Sequence, residues 1–155
     1  MSISLDNLAK VLIKWCREST TELSKSGLYN EQELIDDFAC YLNKNTKIKA
    51  MKGFSAYHTL DKADLVLYYN YEKVSEGVIA EFVIDNDRHS SDFKQEVLDA
   101  SNRLKQKKLK YIYQLTTKCI VSLYSNMKNR NVMRNIEFIE VFNDVGIGCA
   151  IKRLS

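Results

Sequence analysis

The chain has 155 residues, of which 45% are hydrophobic and 28% are charged, and its formal net charge at pH 7 is +3. This composition is typical of a globular rather than a disordered chain and fits a single domain with its own hydrophobic core. No apolar run is long enough to span a membrane, and the small positive charge permits contact with nucleic acid without requiring it.

The cysteines and the first residues bear on the compartment. The four cysteines, at positions 16, 40, 119 and 149, are far apart and form no CxxC pair. They therefore indicate neither a zinc site nor a redox motif. The first six residues lack the basic segment and apolar run of a secretory signal. We expect a cytoplasmic protein with reduced thiols.

Two helices are predicted at the start of the chain. Apolar residues recur at helical spacing over residues 4–19, and a break is expected at residues 24–27. Asn30 followed by Glu33 resembles a capping box, which predicts the start of the second helix. That helix is expected to end near residue 43.

A strand region broken at Gly53 is predicted over residues 46–58, and two further strands are predicted over residues 63–71 and 77–85. The short polar connection between the second and third strands indicates an antiparallel hairpin. The polar run Asp85–Ser91 follows, and we expect it to be a solvated turn.

The second half of the chain is predicted to contain one long helix and further strands. The helix, over residues 92–108, has an apolar face and a basic face. A buried strand is expected at residues 111–116, and the ambiguous residues 118–130 favour a helix. Period-two alternation predicts a strand over residues 136–142, with residues 146–151 as its partner.

Two acidic residues stand in strands that are otherwise apolar. Asp64 opens the strand 63–71, and Glu81 interrupts the strand 77–85. A carboxylate among apolar strand residues needs a metal ion, a cation or hydrogen-bond donors to offset its desolvation. The alternatives are an edge pairing of Asp64 with Lys62 and an ordinary cross-strand salt bridge for Glu81.

The order of these elements, with an acid on each of two neighbouring strands, resembles the PD-(D/E)xK nuclease superfamily. Its members have the restriction-endonuclease-like fold, and their signature is an Asp on one strand and (Asp/Glu)-x-Lys on the next. A Glu on a preceding helix often accompanies the pair. Asp64 matches the first acid, Glu81 matches the second, and Glu33 is the candidate for the helix acid. The resemblance extends over about residues 30–151.

The resemblance implies the fold class. We expect a single α/β domain over residues 1–155, with a central mixed β-sheet flanked by helices. The N-terminal helices would occupy residues 4–43, and the core sheet and its helix would occupy residues 46–151.

The resemblance also implies hydrolysis of phosphodiester bonds with Mg²⁺ or Mn²⁺ as cofactor. Asp64 and Glu81, with Glu33 as a third candidate, would hold the metal through carboxylate oxygens, which hard divalent cations prefer. A metal bound in this way polarises the phosphate and lowers the pKa of a bound water. Glu33 has a second interpretation, as a capping residue at the start of its helix.

One position departs from the family pattern. The motif lysine is replaced by Val83, which can neither donate a hydrogen bond nor supply positive charge. A basic side chain from elsewhere would have to take that role, and the candidates are Lys94, Lys118 and Arg88. Otherwise the fold has lost its chemistry and acts as a nucleic-acid-binding or protein-interaction module, such as an immunity, inhibitor or regulatory protein.

Basic residues cluster at the end of the predicted helix 92–108. The run consists of Arg103, Lys105, Lys107 and Lys108. It could contact phosphates of a nucleic acid, or it could be a solvated helix end where positive charge suits the helix dipole. The expected partner is nucleic acid, with DNA favoured over RNA, and a protein partner or a homodimer is the alternative.

Overall fold

A computed structural model describes residues 4–26, 31–54, 63–69, 77–85, 90–106, 117–144 and 147–154. Side chains are described throughout these ranges except at positions 20–26, 52–54, 63–64, 69, 90 and 105–106. The helices are α1 (Leu5–Ser26), α2 (Glu31–Asn45), α3 (Ser90–Gln106) and α4 (Met127–Asn135). The strands are β1 (Ile48–Phe54), β2 (Ala63–Tyr69), β3 (Val78–Ile84), β4 (Thr117–Tyr124), β5 (Ile139–Asp144) and β6 (Ile147–Arg153).

The described strands join into one mixed sheet in the order β1-β2-β3-β4-β6-β5. Neighbouring strands are antiparallel except β3 and β4, which run parallel. The helix α3 lies between β3 and β4 in the chain and provides the crossover that a parallel pair requires. The expected α/β fold class, a mixed sheet flanked by helices, is confirmed, and so is the hairpin of β2 and β3.

Helices cover both faces of the sheet. On one face, the ring of Trp15 in α1 lies 4.9 Å from that of Phe38 in α2, and Phe38 lies 5.7 Å from Phe82 in β3. On the other face, Phe93 of α3 and Met133 of α4 belong to a second buried cluster. We call these the α1/α2 face and the α3/α4 face. The sheet is therefore the middle layer of three.

Strand β3 shows which face each of its residues takes. All of its residues are buried. Ala80 and Phe82 belong to the core of the α1/α2 face, whereas Ile79 and Val83 belong to the core of the α3/α4 face. Because successive side chains of a strand point to opposite faces, Glu81 lies on the α3/α4 face.

The helix α1 forms and docks as its sequence pattern predicts. The Ser4 hydroxyl accepts a hydrogen bond from the backbone N–H three residues later, as a helix N-cap does. Leu8, Leu12 and Trp15 recur at helical spacing and are all 0% exposed. The Trp15 indole Nε1 donates to the Asp37 carboxylate at 2.8 Å, which joins α1 to α2. Truncating Trp15 to Ala should cost about 3–5 kcal/mol of stability.

The helix predicted over residues 118–130 is wrong. Strand β4 occupies Thr117–Tyr124, and α4 begins only at Met127. Residues 119–124 are all buried, because β4 is a central strand with helices on both faces. Such a continuous apolar run shows neither strand nor helix periodicity. The strand predicted at residues 111–116 lies outside the described residues.

Two element boundaries also differ from the prediction. The helix α1 continues to Ser26, through most of the break expected at residues 24–27. The strand expected from Ile136 begins at Ile139. Ile136 instead forms the C-cap of α4, and Glu137 follows with a φ of 68°. A left-handed residue at this place ends the helix and redirects the chain into β5.

Candidate active site

Glu81 is a carboxylate inside the sheet. The residue is 4% exposed and occupies the middle of β3 on the α3/α4 face. A buried carboxylate is costly unless a cation or hydrogen-bond donors offset its lost hydration. Glu81 is thus buried, as the apolar residues around it in the sequence predict.

Continuing the register of β2 and β3 by one residue would align the backbone of Asp64 with that of Glu81. Leu65 pairs with Ala80 and Val66 with Ile79, so one further step along the antiparallel ladder sets position 64 opposite Glu81. Directly opposed positions in such a ladder share one sheet face, and their Cβ atoms lie about 4.5–5.5 Å apart. The backbone of Asp64 lies within the described strand, and its carboxylate lies outside the described atoms.

Lys118 lies one strand away on the same face. In the parallel pairing of β3 and β4, Glu81 lies opposite Ile120 and Ile79 lies opposite Lys118. Ile120 belongs to the core of the α3/α4 face, and Lys118 follows the same alternation. Lys118 is partly exposed. It is therefore a diagonal neighbour of Glu81 and one of the predicted substitute cations.

The other predicted site residues do not join Glu81. Glu33 is exposed in the first turn of α2, and α2 packs on the α1/α2 face through Phe38, so the sheet separates Glu33 from Glu81. Lys94 is exposed on α3, and none of the described contacts joins it to Glu81. Arg88 lies outside the described residues.

The position of the missing motif lysine lies in the core. Val83 is 1% exposed and packs within the apolar cluster under α3. Its cross-strand neighbour Ser122 is 0% exposed, and the Ser122 Oγ has no hydrogen-bond partner in the described part of the chain. Position 83 is therefore shielded from solvent and supplies no cation.

The predicted basic run is described only in part. Arg103 is exposed near the end of α3. The backbone of Lys105 belongs to α3, but its side chain is outside the described atoms. Lys107 and Lys108 lie outside the described residues. Exposure of Arg103 fits both a phosphate contact and a solvated helix end.

The expectation that Asp85 belongs to a solvated turn is wrong. The residue is 0% exposed at the end of β3. Its carboxylate accepts the Ser125 backbone N–H at 2.6 Å, the Ser125 hydroxyl at 3.0 Å and the Asn129 amide at 3.2 Å. Asn126 approaches it at 3.4 Å. Asp85 is buried because these donors replace water, and it holds the turn between β4 and α4 against β3.

A second polar network lies next to this turn. The Tyr124 hydroxyl donates to the Glu140 carboxylate at 2.5 Å, and Arg130 donates to both Glu140 oxygens, from Nε at 2.7 Å and from Nη2 at 2.8 Å. The hydrogen bond from Arg130 holds the pKa of Glu140 at about 2. Burial, together with the bond to Glu140, raises the pKa of the Tyr124 hydroxyl well above its usual range. Glu140 is therefore a fixed anion at neutral pH.

A cavity of about 140 Å³ opens beside this network. Tyr124, Met127, Arg130 and Asn143 contribute to its walls. Gly148 lies opposite Tyr124 in the pairing of β4 and β6, and a Cβ at Gly148 would overlap the tyrosine ring. The absence of a side chain at Gly148 therefore lets the tyrosine ring lie against the strand at the base of the cavity.

Sequence reasoning missed this second network for identifiable reasons. Asp85 directly follows a buried strand, and that position was the available signal, but the neighbouring Asn and Asp residues suggested a turn. The helix that contains Arg130 was predicted over the wrong residues, so its closeness to Glu140 could not be inferred. Tyr124 was expected in no particular role because the strand that contains it was not recognised.

Similarity to other proteins adds no assignment. No protein-family model matches the chain, and comparison with curated proteins and with solved structures gave no significant match. Within the described ranges, no three His, Cys, Asp or Glu side chains are grouped so as to hold a metal ion. None of the described helices is long and apolar enough to cross a membrane.

Proposed function

We propose that this chain is a divergent metal-dependent nuclease that hydrolyses phosphodiester bonds in nucleic acid. The observation that supports it best is the arrangement around Glu81. The sheet register sets position 64 opposite this buried carboxylate, and Lys118 lies diagonally from it on the same face. Two acids and one cation on neighbouring strands are the set of groups that the family's chemistry uses.

The residues at this place fit a magnesium or manganese ion. Mg²⁺ is commonly bound through one or two carboxylates and keeps several of its waters, so a third acidic ligand is not required. Glu81 is 4% exposed, and a carboxylate with so little contact with water has most to gain from a cation. Asp64 and Glu81 would hold the ion. The bound metal would supply Lewis acidity toward the phosphate and a more acidic water.

Lys118 takes the role of the missing motif lysine in this proposal. Its partly exposed position can reach solvent and a substrate, which the buried Val83 cannot. An ammonium group next to the scissile phosphate stabilises the negative charge that builds up in the transition state. Lys94 is the competing candidate, and its exposed position on α3 makes it the natural comparison.

The proposed substrate is DNA, with RNA to be tested beside it. Arg103, Lys105, Lys107 and Lys108 would contact backbone phosphates, whose charge dominates the affinity of most nucleic-acid-binding proteins. A cytoplasmic location is part of the proposal and is supported by the four free cysteines.

Cleavage assays with matched variants test the proposal. Labelled DNA and RNA are incubated with Mg²⁺ or Mn²⁺ and with the wild type, Glu81→Gln or Asp64→Asn. Each substitution should lower the cleavage rate by at least about 100-fold, because each removes a charged ligand of the metal. Asp99→Asn, which changes an exposed acid on α3, is the matched control and should leave the rate unchanged. Activity that survives both Glu81→Gln and Asp64→Asn would remove these residues from the site.

A pair of lysine variants identifies the substitute cation. Lys118→Met should lower the cleavage rate by about 100-fold or more, whereas Lys94→Met should have little effect. The reverse result would transfer the role to Lys94. Equal activity of both variants and the wild type would contradict the assignment of either lysine.

The second candidate function is a catalytically inactive member of the same fold that binds nucleic acid or a protein. Val83 favours it, because the motif lysine is absent and its position lies in a closed core. This alternative predicts no cleavage with either metal. It also predicts nucleic-acid or protein binding that Glu81→Gln leaves unchanged, which a filter-binding or calorimetric titration would measure.

A further inference from the structure

We propose that the cavity beside Tyr124 and Arg130 binds a single guanine base, carried either by a free nucleotide or by a nucleic-acid strand. This goes beyond the proposed nuclease function, because it uses none of the residues assigned to the metal or to the substitute cation. Asp85 marks the end of β3 nearest the cavity, and Glu81 lies four residues earlier, about 13 Å along the strand. The two proposals can therefore fail separately.

Arg130 presents a fixed pair of donors. A guanidinium has five N–H groups, and Glu140 takes one from Nε and one from Nη2. Nη1 has only the Met127 sulfur, at 4.0 Å, among its described contacts. The edge formed by Nη1 and Nη2 therefore keeps two nearly parallel N–H groups, and the ion pair with Glu140 fixes their direction. This fork matches two adjacent acceptor atoms.

The local charge favours a neutral ligand over an anion. Glu140, ionised because Arg130 holds its pKa at about 2, offsets the charge of the Arg130 guanidinium, and it also lies 4.0 Å from the exposed guanidinium of Arg134. Behind Ser125, which lines the cavity, lies the buried carboxylate of Asp85. A phosphate or carboxylate would therefore meet a site with no excess positive charge. A neutral ligand with two neighbouring acceptors meets no such opposition, and the O6 and N7 atoms of guanine are the pair that Arg recognises most often.

The size of the cavity suits a single base rather than a whole nucleotide. Its volume of about 140 Å³ is below the roughly 300–1,000 Å³ of pockets for drug-sized ligands. It can accept a base but not the sugar and phosphate as well. The ring of Tyr124, the thioether of Met127 and the side chain of Ile147 supply apolar walls, and Asn143 adds a polar group at the rim. A base could thus enter while its sugar stays outside.

Calorimetric titration without metal and with a chelator present tests the binding. The ligands are GMP, AMP, ribose 5-phosphate, and oligothymidylate with or without one guanine. GMP or the guanine-containing strand should bind at least about tenfold more tightly than its partner without guanine, since adenine offers a donor where guanine offers O6. Binding of GMP identifies a free nucleotide as a ligand, and binding of the strand alone identifies a base within a chain. Measurable but equal binding of GMP and AMP, equal binding of the strands with and without guanine, or no binding of either guanine ligand at millimolar concentration overturns the proposal.

Variants on α4 localise the site. Arg130→Lys keeps the charge but removes the fork, and guanine binding should weaken by about tenfold or more. Met127→Glu supplies a carboxylate one turn before Arg130, which should occupy the fork and weaken binding to the same extent. Since Met127 is 60% exposed, this change should not disturb folding, so the test holds even if Arg130→Lys is unstable. Arg17→Lys, at an exposed position on α1 and outside the cavity lining, is the matched control and should bind normally. Unchanged guanine binding by Met127→Glu would contradict the site.

Discussion

Two buried carboxylates, one within β3 and one directly after its end, have different surroundings. Asp85 at the end of β3 accepts hydrogen bonds from the turn that follows β4, and it is 0% exposed. Glu81 in the middle of β3 is almost as buried, but its neighbours across the strands are Ile120 and position 64. Asp85 holds two elements together, whereas the role proposed for Glu81 is to bind a metal ion.

The difference shows that burial alone does not identify a site. A buried carboxylate at a strand end can be satisfied by the donors of a following turn, because the start of a helix supplies free N–H groups and polar caps. Glu81 lies instead in the middle of a central strand, between β2 and β4. The hydrogen bonds of Asp85 thus give it a structural role, whereas burial alone assigns no role to Glu81.

The largest expected effect comes from removing the structural acid. Asp85→Ala should lower the free energy of unfolding by about 3 kcal/mol or more, because buried donors of Ser125 and Asn129 lose a charged acceptor. Urea denaturation followed by circular dichroism measures this change. Asp99→Ala, at an exposed position on α3, should change stability by less than about 0.5 kcal/mol. A similarly small loss of stability for Asp85→Ala would contradict the structural role of Asp85.

Glu81→Gln gives the counterpart for the functional acid. It should change the free energy of unfolding by less than about 1 kcal/mol, because a neutral side chain of the same shape is easier to bury than a charged one. The same variant is expected to lose cleavage activity. A stability loss as large as that of Asp85→Ala would place Glu81 among the structural acids.

Glu81 and Asp85 also show how much of the structure the sequence alone can predict. The hairpin and the burial of Glu81 were predictable because they depend on local patterns, namely a short polar turn and an acid within an apolar run. The role of Asp85 was not, because its partners lie about 40 residues later, beyond the α3 crossover. Predicting these partners requires knowing that β4 ends at Tyr124. Because β4 is buried on both faces, its sequence lacks the alternation of apolar and polar residues that would have identified it as a strand.

Gly148→Ala is expected to have an intermediate effect on stability. Gly148→Ala places a methyl group into the ring of Tyr124, and the ring is too buried to move freely. We expect a loss of about 1–3 kcal/mol in the free energy of unfolding. Combining it with Tyr124→Ala should remove the overlap, so that the glycine change costs little in that background. An equal cost in both backgrounds would show that the close packing against Tyr124 is not the cause.

The smallest effect concerns a third acid, Glu140, and depends on pH. Its pKa is lowered from 4.5 to about 2 in the folded state, chiefly by the hydrogen bond from Arg130. Its stabilising contribution is therefore fully present above about pH 4.5 and is lost as the pH falls toward about 2. The difference in denaturation midpoint between the wild type and Glu140→Gln should shrink across this interval. A constant difference would show that the ion pair with Arg130 adds no acid-sensitive stability.

Manganese binding tests most directly whether position 64 and Glu81 form a metal site. Electron paramagnetic resonance distinguishes free from bound Mn²⁺, and a titration gives the number of ions and their affinity. We expect one Mn²⁺ per chain, with affinity at least about tenfold lower in Glu81→Gln and in Asp64→Asn and unchanged in Asp99→Asn. The absence of bound Mn²⁺ in the wild type, or equal binding by Glu81→Gln, would contradict the metal site and the hydrolytic function proposed for it.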